Sequence, residues 1–208
     1  MTKLFVYLLV LGTLVGCSSQ PKQPAEQQKK PAEAPKQEQI TGRTAFQKLY
    51  ISARGWASDA RPYQLQSLVT KESTGKDGKS GVWRGSFASA SRGAVKSFVW
   101  SGLRAEDAPS PGVTPGTEDT YNPNNTSTQV FDMAFLKVDS DKAYEVAQKH
   151  GGEKLTKANP DQPVFYMLNW RASANELVWH VIYGDNFDNA KLKVAVDATS
   201  SEFMRVEK

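Results

Sequence analysis

Cysteine and histidine are scarce in this 208-residue chain, with one of the first and two of the second. The single cysteine, Cys17, closes the stretch Leu14-Val15-Gly16-Cys17 at the end of an apolar run. A thiol in that place reads as a point of lipid attachment. The two histidines, His150 and His180, fall on separate segments, and no third ligand stands at a telling spacing, so no metal site is expected. His150 lies just before Gly151 at the end of a helical pattern, where a cation suits the helix dipole. His180 lies in a strand pattern between Trp179 and Val181. Ser86, Ser89 and Ser91 gather near a turn but lack the Gly-x-Ser-x-Gly elbow of a nucleophilic serine. No glycine loop of the phosphate-cradling kind occurs. Asp185, Asp188 and Asn189 lack the glycine and closing glutamate of a twelve-residue calcium loop, so a plain turn is expected there. These residues lead to a protein that is not an enzyme, with no catalytic residue and no cofactor.

Residues 1–16 have the layout of a secretory signal: Lys3 near the start, an apolar core from Leu4 to Val15, and the small Gly16 at the cut. A helix of about a dozen residues covers roughly 18 Å, against about 30 Å of hydrocarbon, and is too short to cross a bilayer. Leu14-Val15-Gly16-Cys17 resembles the lipobox of bacterial lipoproteins. That resemblance implies cleavage before Cys17 and a diacylated, usually triacylated, cysteine. It also implies a place in the bacterial envelope, with Ser18 favouring the outer membrane and a body facing the periplasm. The membrane is then the first partner, held through Cys17. One acyl chain holds a protein only marginally, whereas two or more anchor it stably.

From residue 17 to 40 the chain is rich in Pro, Gln, Lys and Glu and almost devoid of large apolar residues. Such a segment buries too little surface to offset its ordering entropy, so a disordered linker is expected. Beyond it about 168 residues remain, enough for one ordinary domain or two small ones. The 26 basic and 22 acidic residues are scattered without a dense patch, which argues against a nucleic-acid partner. With Cys17 lipidated no thiol remains for a disulfide, and stability must come from packing.

Two stretches, 41–102 and 129–208, carry the periodicities of an α+β body. In the first, Ala45, Phe46, Leu49, Tyr50, Ala53 and Trp56 make one apolar helical face that Gly55 and Asp59–Pro62 end. Three strands follow, over 63–69, 82–88 and 94–100, with a hairpin-type Asp77-Gly78 turn between the first two. In the second, Val130–Leu136 fits either a strand or a helical turn. Asp139-Ser140-Asp141 then caps a helix that Gly151-Gly152 stops. Three strands again follow, over 164–170, 177–183 and 192–196, with Glu202–Val206 as a possible extension. Residues 103–128, with four prolines, read as a connecting loop. The order of elements thus repeats roughly 95 residues apart, a repeat of architecture and not of sequence. A single continuous NTF2-like sheet shared by both halves is the other arrangement this order allows.

Asp139 to Ala147, three strands, and Val196-Asp197-Ala198 before Glu202 resemble a PepSY unit, a helix packed on a small antiparallel sheet in a cystatin-like arrangement. In that family the last strand ends in Asp-Ala and a glycine turn; Ser201 stands here in the glycine's place. The resemblance implies two tandem helix-plus-three-stranded units, brings no catalytic residues, and suggests modulation of a peptidase. Trp83, Trp100, Trp170 and Trp179 fall on proposed strands and read as core or half-buried residues. Should an open sheet face carry some of them, Tyr166, Trp170, Trp179 and Tyr183, with Tyr121 of the loop, form the expected set for binding a protein or peptide. The alternative is a structural or accessory subunit of an envelope assembly.

Overall fold

The computed structural model describes residues 37–207. The apolar leader, Cys17 and the linker as far as residue 36 lie outside the described residues. Gln37 to Gln39 run without regular structure, and the Glu38 N–H donates to the Gly102 carbonyl at 2.9 Å.

The first elements are β1 (Ile40–Thr41), α1 (Gly42–Trp56), β2 (Arg61–Ser67), β3 (Lys79–Ser80), β4 (Val82–Ser89), β5 (Ala94–Ser101) and β6 (Gly112–Thr120). Then come α2 (Ser140–Ala147), α3 (Glu153–Ala158), β7 (Val164–Arg171), β8 (Glu176–Tyr183), β9 (Leu192–Asp197) and β10 (Phe203–Glu207). The body is mixed α+β, as the periodicities indicate. Eight strands form one antiparallel sheet in the order β10-β9-β8-β7-β2-β4-β5-β6, while β1 and β3 make a separate two-stranded ribbon. The two halves meet where β2 pairs with β7, through Gln64–Asn169, Leu65–Leu168 and Gln66–Met167.

Alternation along each strand decides what is buried. Leu65, Trp83, Phe87, Phe98 and Trp100 from the first half, and Val164, Tyr166, Leu168, Leu177, Trp179, Val181, Tyr183, Val194 and Val196 from the second, share one core. Phe46, Leu49 and Ala53 of α1 and Ala143 and Ala147 of α2 pack into that same cluster, so the helices cover this face. These helical residues stand three or four apart, which is what lines them up on one side.

Four local expectations differ from the structure. The stretch 103–128 is not loop throughout, because Gly112–Thr120 is strand β6 along the whole of β5. Its Pro115 faces Phe98 next to a bulge, and an edge strand tolerates proline because its outward N–H has no partner to lose. Three strands per half become four, since β6 and β10 extend the sheet at either end. Asp77-Gly78 does form a left-handed pair, at φ 55° and 73°, but β2 and β4 are joined by a longer excursion in which β3 pairs with β1. Gly151, at φ 112°, kinks the helical path after α2 without ending it, and α3 follows at once. Val130–Leu136 resolves to a single 3-10 turn at Met133–Phe135. Ser201 adopts the left-handed φ of 67° that the turn after Asp197-Ala198 requires, with its N–H on the Asp197 carbonyl at 3.0 Å.

Candidate functional site

Helices α1 and α2 begin at one junction. Asp139 caps α2 by accepting the Ser140 N–H at 2.7 Å, and the same oxygen accepts the Arg43 N–H of α1 at 2.8 Å. Its other oxygen takes the Thr41 hydroxyl at 2.8 Å. One carboxylate thus sits at two positive helix ends. Beneath it, the Trp83 indole donates to the Ile40 carbonyl at 3.0 Å and the Trp179 indole donates to the Val138 carbonyl at 2.9 Å. The two rings meet edge to face at 6.4 Å. Gly42 lies against them, and a Cβ there would come within 2.6 Å of the Trp179 ring.

The aromatic set expected to bind a partner does not form one surface. Tyr166, Trp179 and Tyr183 are fully buried on the helix side of the sheet and belong to the core. They cannot serve as exposed anchors, because the helices cover their face. The Tyr166 hydroxyl donates to the Gly75 carbonyl and accepts the Gly78 N–H, and burial pushes its pKa well above the ordinary value. The Tyr183 hydroxyl accepts from the Gln148 amide at 2.9 Å, and burial raises it likewise. Trp170 is half-buried against Phe135, with ring centroids 4.9 Å apart. Tyr121 is also half-buried, just past β6, with its N–H on the Gly93 carbonyl. Strands β2, β4 and β5 separate the two.

The histidines are placed apart as well. His150, in the wide turn after α2, stacks on Phe203 at 3.7 Å between centroids. His180 is buried on the face away from the helices, where Nδ1 is 2.6 Å from the Glu207 carboxylate and Nε2 is 2.9 Å from the Asn169 side-chain oxygen Oδ1. Arg205 donates to the other Glu207 oxygen at 2.6 Å. Burial works to raise the Glu207 carboxyl, but the bond and charge of His180, with Arg205, outweigh it and hold the group below its usual range. With both ring nitrogens occupied, this cluster ties β7, β8 and β10 together across the small Ala195. Among the described residues no group of three His, Cys, Asp or Glu side chains could hold a metal ion.

The serines are braces. Ser89 and Ser91 both donate to Asp59, at 2.6 and 2.9 Å, and the Ser91 N–H adds a third bond. The Ser89 hydrogen bond leads these in pulling the Asp59 carboxyl down to about 2. Ser86 and Ser97 bond each other at 2.8 Å across β4 and β5. Asn186 gathers the turn after β8, its side-chain oxygen accepting the Asp188 and Asn189 N–H groups at 3.0 Å.

A pocket of about 590 Å³ lies where the Asp77 turn meets α2, a place the sequence reading missed. Asp77, Lys79, Asp141, Tyr144, Glu145 and Gln148 line it. The turn comes this close because Gly78 lies directly on the start of α2, where a Cβ would come within 2.2 Å of the Asp141 backbone. Ser140 locks the contact by donating to the Gly78 carbonyl at 2.5 Å. Tyr144 is half-buried, and burial first, then the nearby Asp77 charge, raise its phenol. Glu145 pairs with Lys142 at 2.5 Å on the rim. The walls offer an aromatic side, an amide, carboxylates and the Lys79 and Lys149 ammonium groups, a lining that suits a polar segment. They offer no histidine base beside a nucleophile. The spacing of Tyr144 and Gln148 on one helical face was the only trace of this pocket in the sequence.

Comparison with known proteins adds no relative: no family model, no curated protein and no solved structure matches the chain.

Proposed function

We propose that the chain is an envelope lipoprotein, anchored by acyl chains on Cys17, whose α+β body binds a protein or peptide and catalyses nothing. The pocket between the Asp77 turn and α2 carries the binding part of this reading. It is concave, it combines Tyr144 and Gln148 with carboxylates, and it has no nucleophile–base pair. The anchor part rests on Leu14-Val15-Gly16-Cys17 and on the apolar run before it, which is too short to span a bilayer. Each buried CH₂ of an acyl chain contributes about 0.8 kcal/mol, so two or three chains hold the protein at the outer-membrane surface.

The body would then be two PepSY-like units fused through β2 and β7, with modulation of a peptidase as one form of the activity. Support comes from the four strands that each half gives to the large sheet after its helical segment and from the matched bonds Trp83–Ile40 and Trp179–Val138. An accessory role in an envelope assembly is the second reading, and the edge of β10, which no described strand pairs, favours it.

Crosslinking in intact cells tests the proposal, using the full chain with a photoreactive residue at Tyr144 and a control at Ile51, which is 74% exposed on α1. Recovery of a specific protein adduct from Tyr144 and not from Ile51 supports the binding reading; equal or absent adducts at both overturn it. In the same cells Cys17→Ser should move the protein from the membrane to the soluble fraction. Retention in the membrane would remove the anchor.

A further inference from the structure

The two edges of the eight-stranded sheet are built differently. On β6, Pro115 and Gly116 sit at a bulge and Glu118 and Asp119 follow, all of them devices that discourage a further strand. On β10, Phe203-Met204-Arg205-Val206-Glu207 has neither proline nor glycine, and its apolar residues face water: Phe203 is 38% and Val206 50% exposed. No described strand lies beyond it.

We propose that β10 is an interface between two copies of this chain, pairing antiparallel with β10 of the second copy about a two-fold axis through Val206. This joins both sheets into one. In an antiparallel ladder, directly opposed residues share a face, and a two-fold axis normal to the sheet sets one residue opposite itself. Three centres are available within the regular part of the strand. An axis at Arg205 sets guanidinium against guanidinium, and one at Glu207 sets carboxylate against carboxylate; both oppose like charges. An axis at Val206 sets valine against valine and, on either side, Arg205 against Glu207 of the other copy, so that each guanidinium, which already bonds Glu207 of its own strand at 2.6 Å, gains a second carboxylate neighbour. The faces agree with this. Val206 pairs with Val194 on the helix side, whereas Arg205 and Glu207 pair with Ala195 and Lys193 on the opposite face. The bulge between Phe203 and Arg205 turns Phe203 onto the helix side too, where it keeps its stack on His150. Charge complementarity at two symmetric positions singles out a second copy over an arbitrary peptide. The inference does not depend on the lipid anchor or on a ligand for the Tyr144 pocket.

The test is a disulfide formed at the axis. In the full chain carrying Cys17→Ser, Val206→Cys supplies the only thiol. Opposed Cβ atoms in such a ladder lie about 4.5–5.5 Å apart, close enough to bridge after a small adjustment. Mild oxidation should give a covalent dimer at least about tenfold faster than Ile51→Cys in the same background, since opposed residues meet in every encounter of the paired strands. Adding Arg205→Glu sets carboxylates opposite one another and should slow the dimer about tenfold, whereas Arg205→Gln should slow it less. Circular dichroism melts identify any variant that fails to fold, and Arg205→Gln then serves alone. A Val206→Cys rate no greater than that of Ile51→Cys overturns the interface. So does a dimer indifferent to charge at Arg205, or an adduct formed only with other proteins.

Discussion

Asp139 shows how much one side chain can hold. Thr41, the residue before α1, makes no capping bond to its own helix, and Asp139 supplies it from the other half of the chain. Loss of an N-cap costs about 0.5–2 kcal/mol, and here one carboxylate serves two helices. Asp139→Ala should therefore destabilise the protein by about 2 kcal/mol in urea unfolding, with Asp139→Asn, which keeps one acceptor oxygen, losing less. Asp59 gives a pH signature. Its carboxyl, at about 2 in the folded protein against an ordinary 3.8, favours the folded state when ionised. That contribution is complete above pH 3.8 and is lost as pH falls toward about 2, because the unfolded chain takes up the proton first. The stability difference between the wild type and Asp59→Asn should shrink across this window in acid titrations of the melting temperature. A constant difference would show that the Ser89 and Ser91 bonds do not act through the charge. At this scale the sequence was half legible. The Asp139 cap could be read from Asp-Ser-Asp before an apolar helical face, but its second client at Arg43 could not, because nothing local links the two. The aromatic residues were legible as alternating strand residues. Whether Tyr166, Trp179 and Tyr183 met water depended on which face the helices cover, and that is decided by packing.

Among the elements, β4 and β8 were readable because large or core-facing residues recur at every second position, Trp83, Gly85 and Phe87 in one and Leu177, Trp179, Val181 and Tyr183 in the other. Strand β6 was not readable. Gly112 to Thr120 carries no apolar alternation, since both its faces and its outer edge are largely exposed. Its strand character comes from β5, against which Val113 faces Trp100 and Thr114 faces Val99. Trp56 adds a clasp: its indole donates to Glu118 at 2.8 Å, and Arg92 and Lys96 lie over its ring. Removing residues 110–116 would strip the Gly112–Pro115 end of this pairing and uncover Trp100. The deletion should lower the melting temperature by about 5 °C or more, equivalent to roughly 2 kcal/mol for a body of this size. An unchanged melting temperature would mean that β6 is a passive connector. The Asp77 turn shows the complementary failure. Its Asp-Gly signal was sound for backbone conformation but silent about destination, and the pocket exists only because Gly78 fits against α2.

For the whole molecule the seam between the halves decides whether there is one cooperative unit or two. The β2–β7 ladder itself is short, at three residue pairs. Much else crosses it. The Tyr166 N–H donates to Ser67 at 2.9 Å, the Val164 N–H donates to the Thr74 carbonyl at 2.8 Å, and Trp83 touches both Tyr166 and Trp179. Asp139 reaches back to Thr41 and Arg43, while Arg43 donates to the Lys137 carbonyl at 3.0 Å. Separating the halves would expose these large aromatic side chains, leave the Tyr166 polar atoms and the Asp139 carboxylate without their partners across the seam, and open two long strand edges. Each fully buried aromatic contributes about 1.5–3 kcal/mol through its burial, so the loss approaches the whole stability of a typical domain. Urea unfolding should therefore give a single transition, with tryptophan fluorescence and far-ultraviolet circular dichroism coinciding, because Trp83 and Trp179 report on both halves at once. Residues 129–208 expressed alone should show no cooperative melt. Two resolved transitions, or a folded fragment 129–208, would mean that each half carries its own stability and that the seam is a docking contact between finished units.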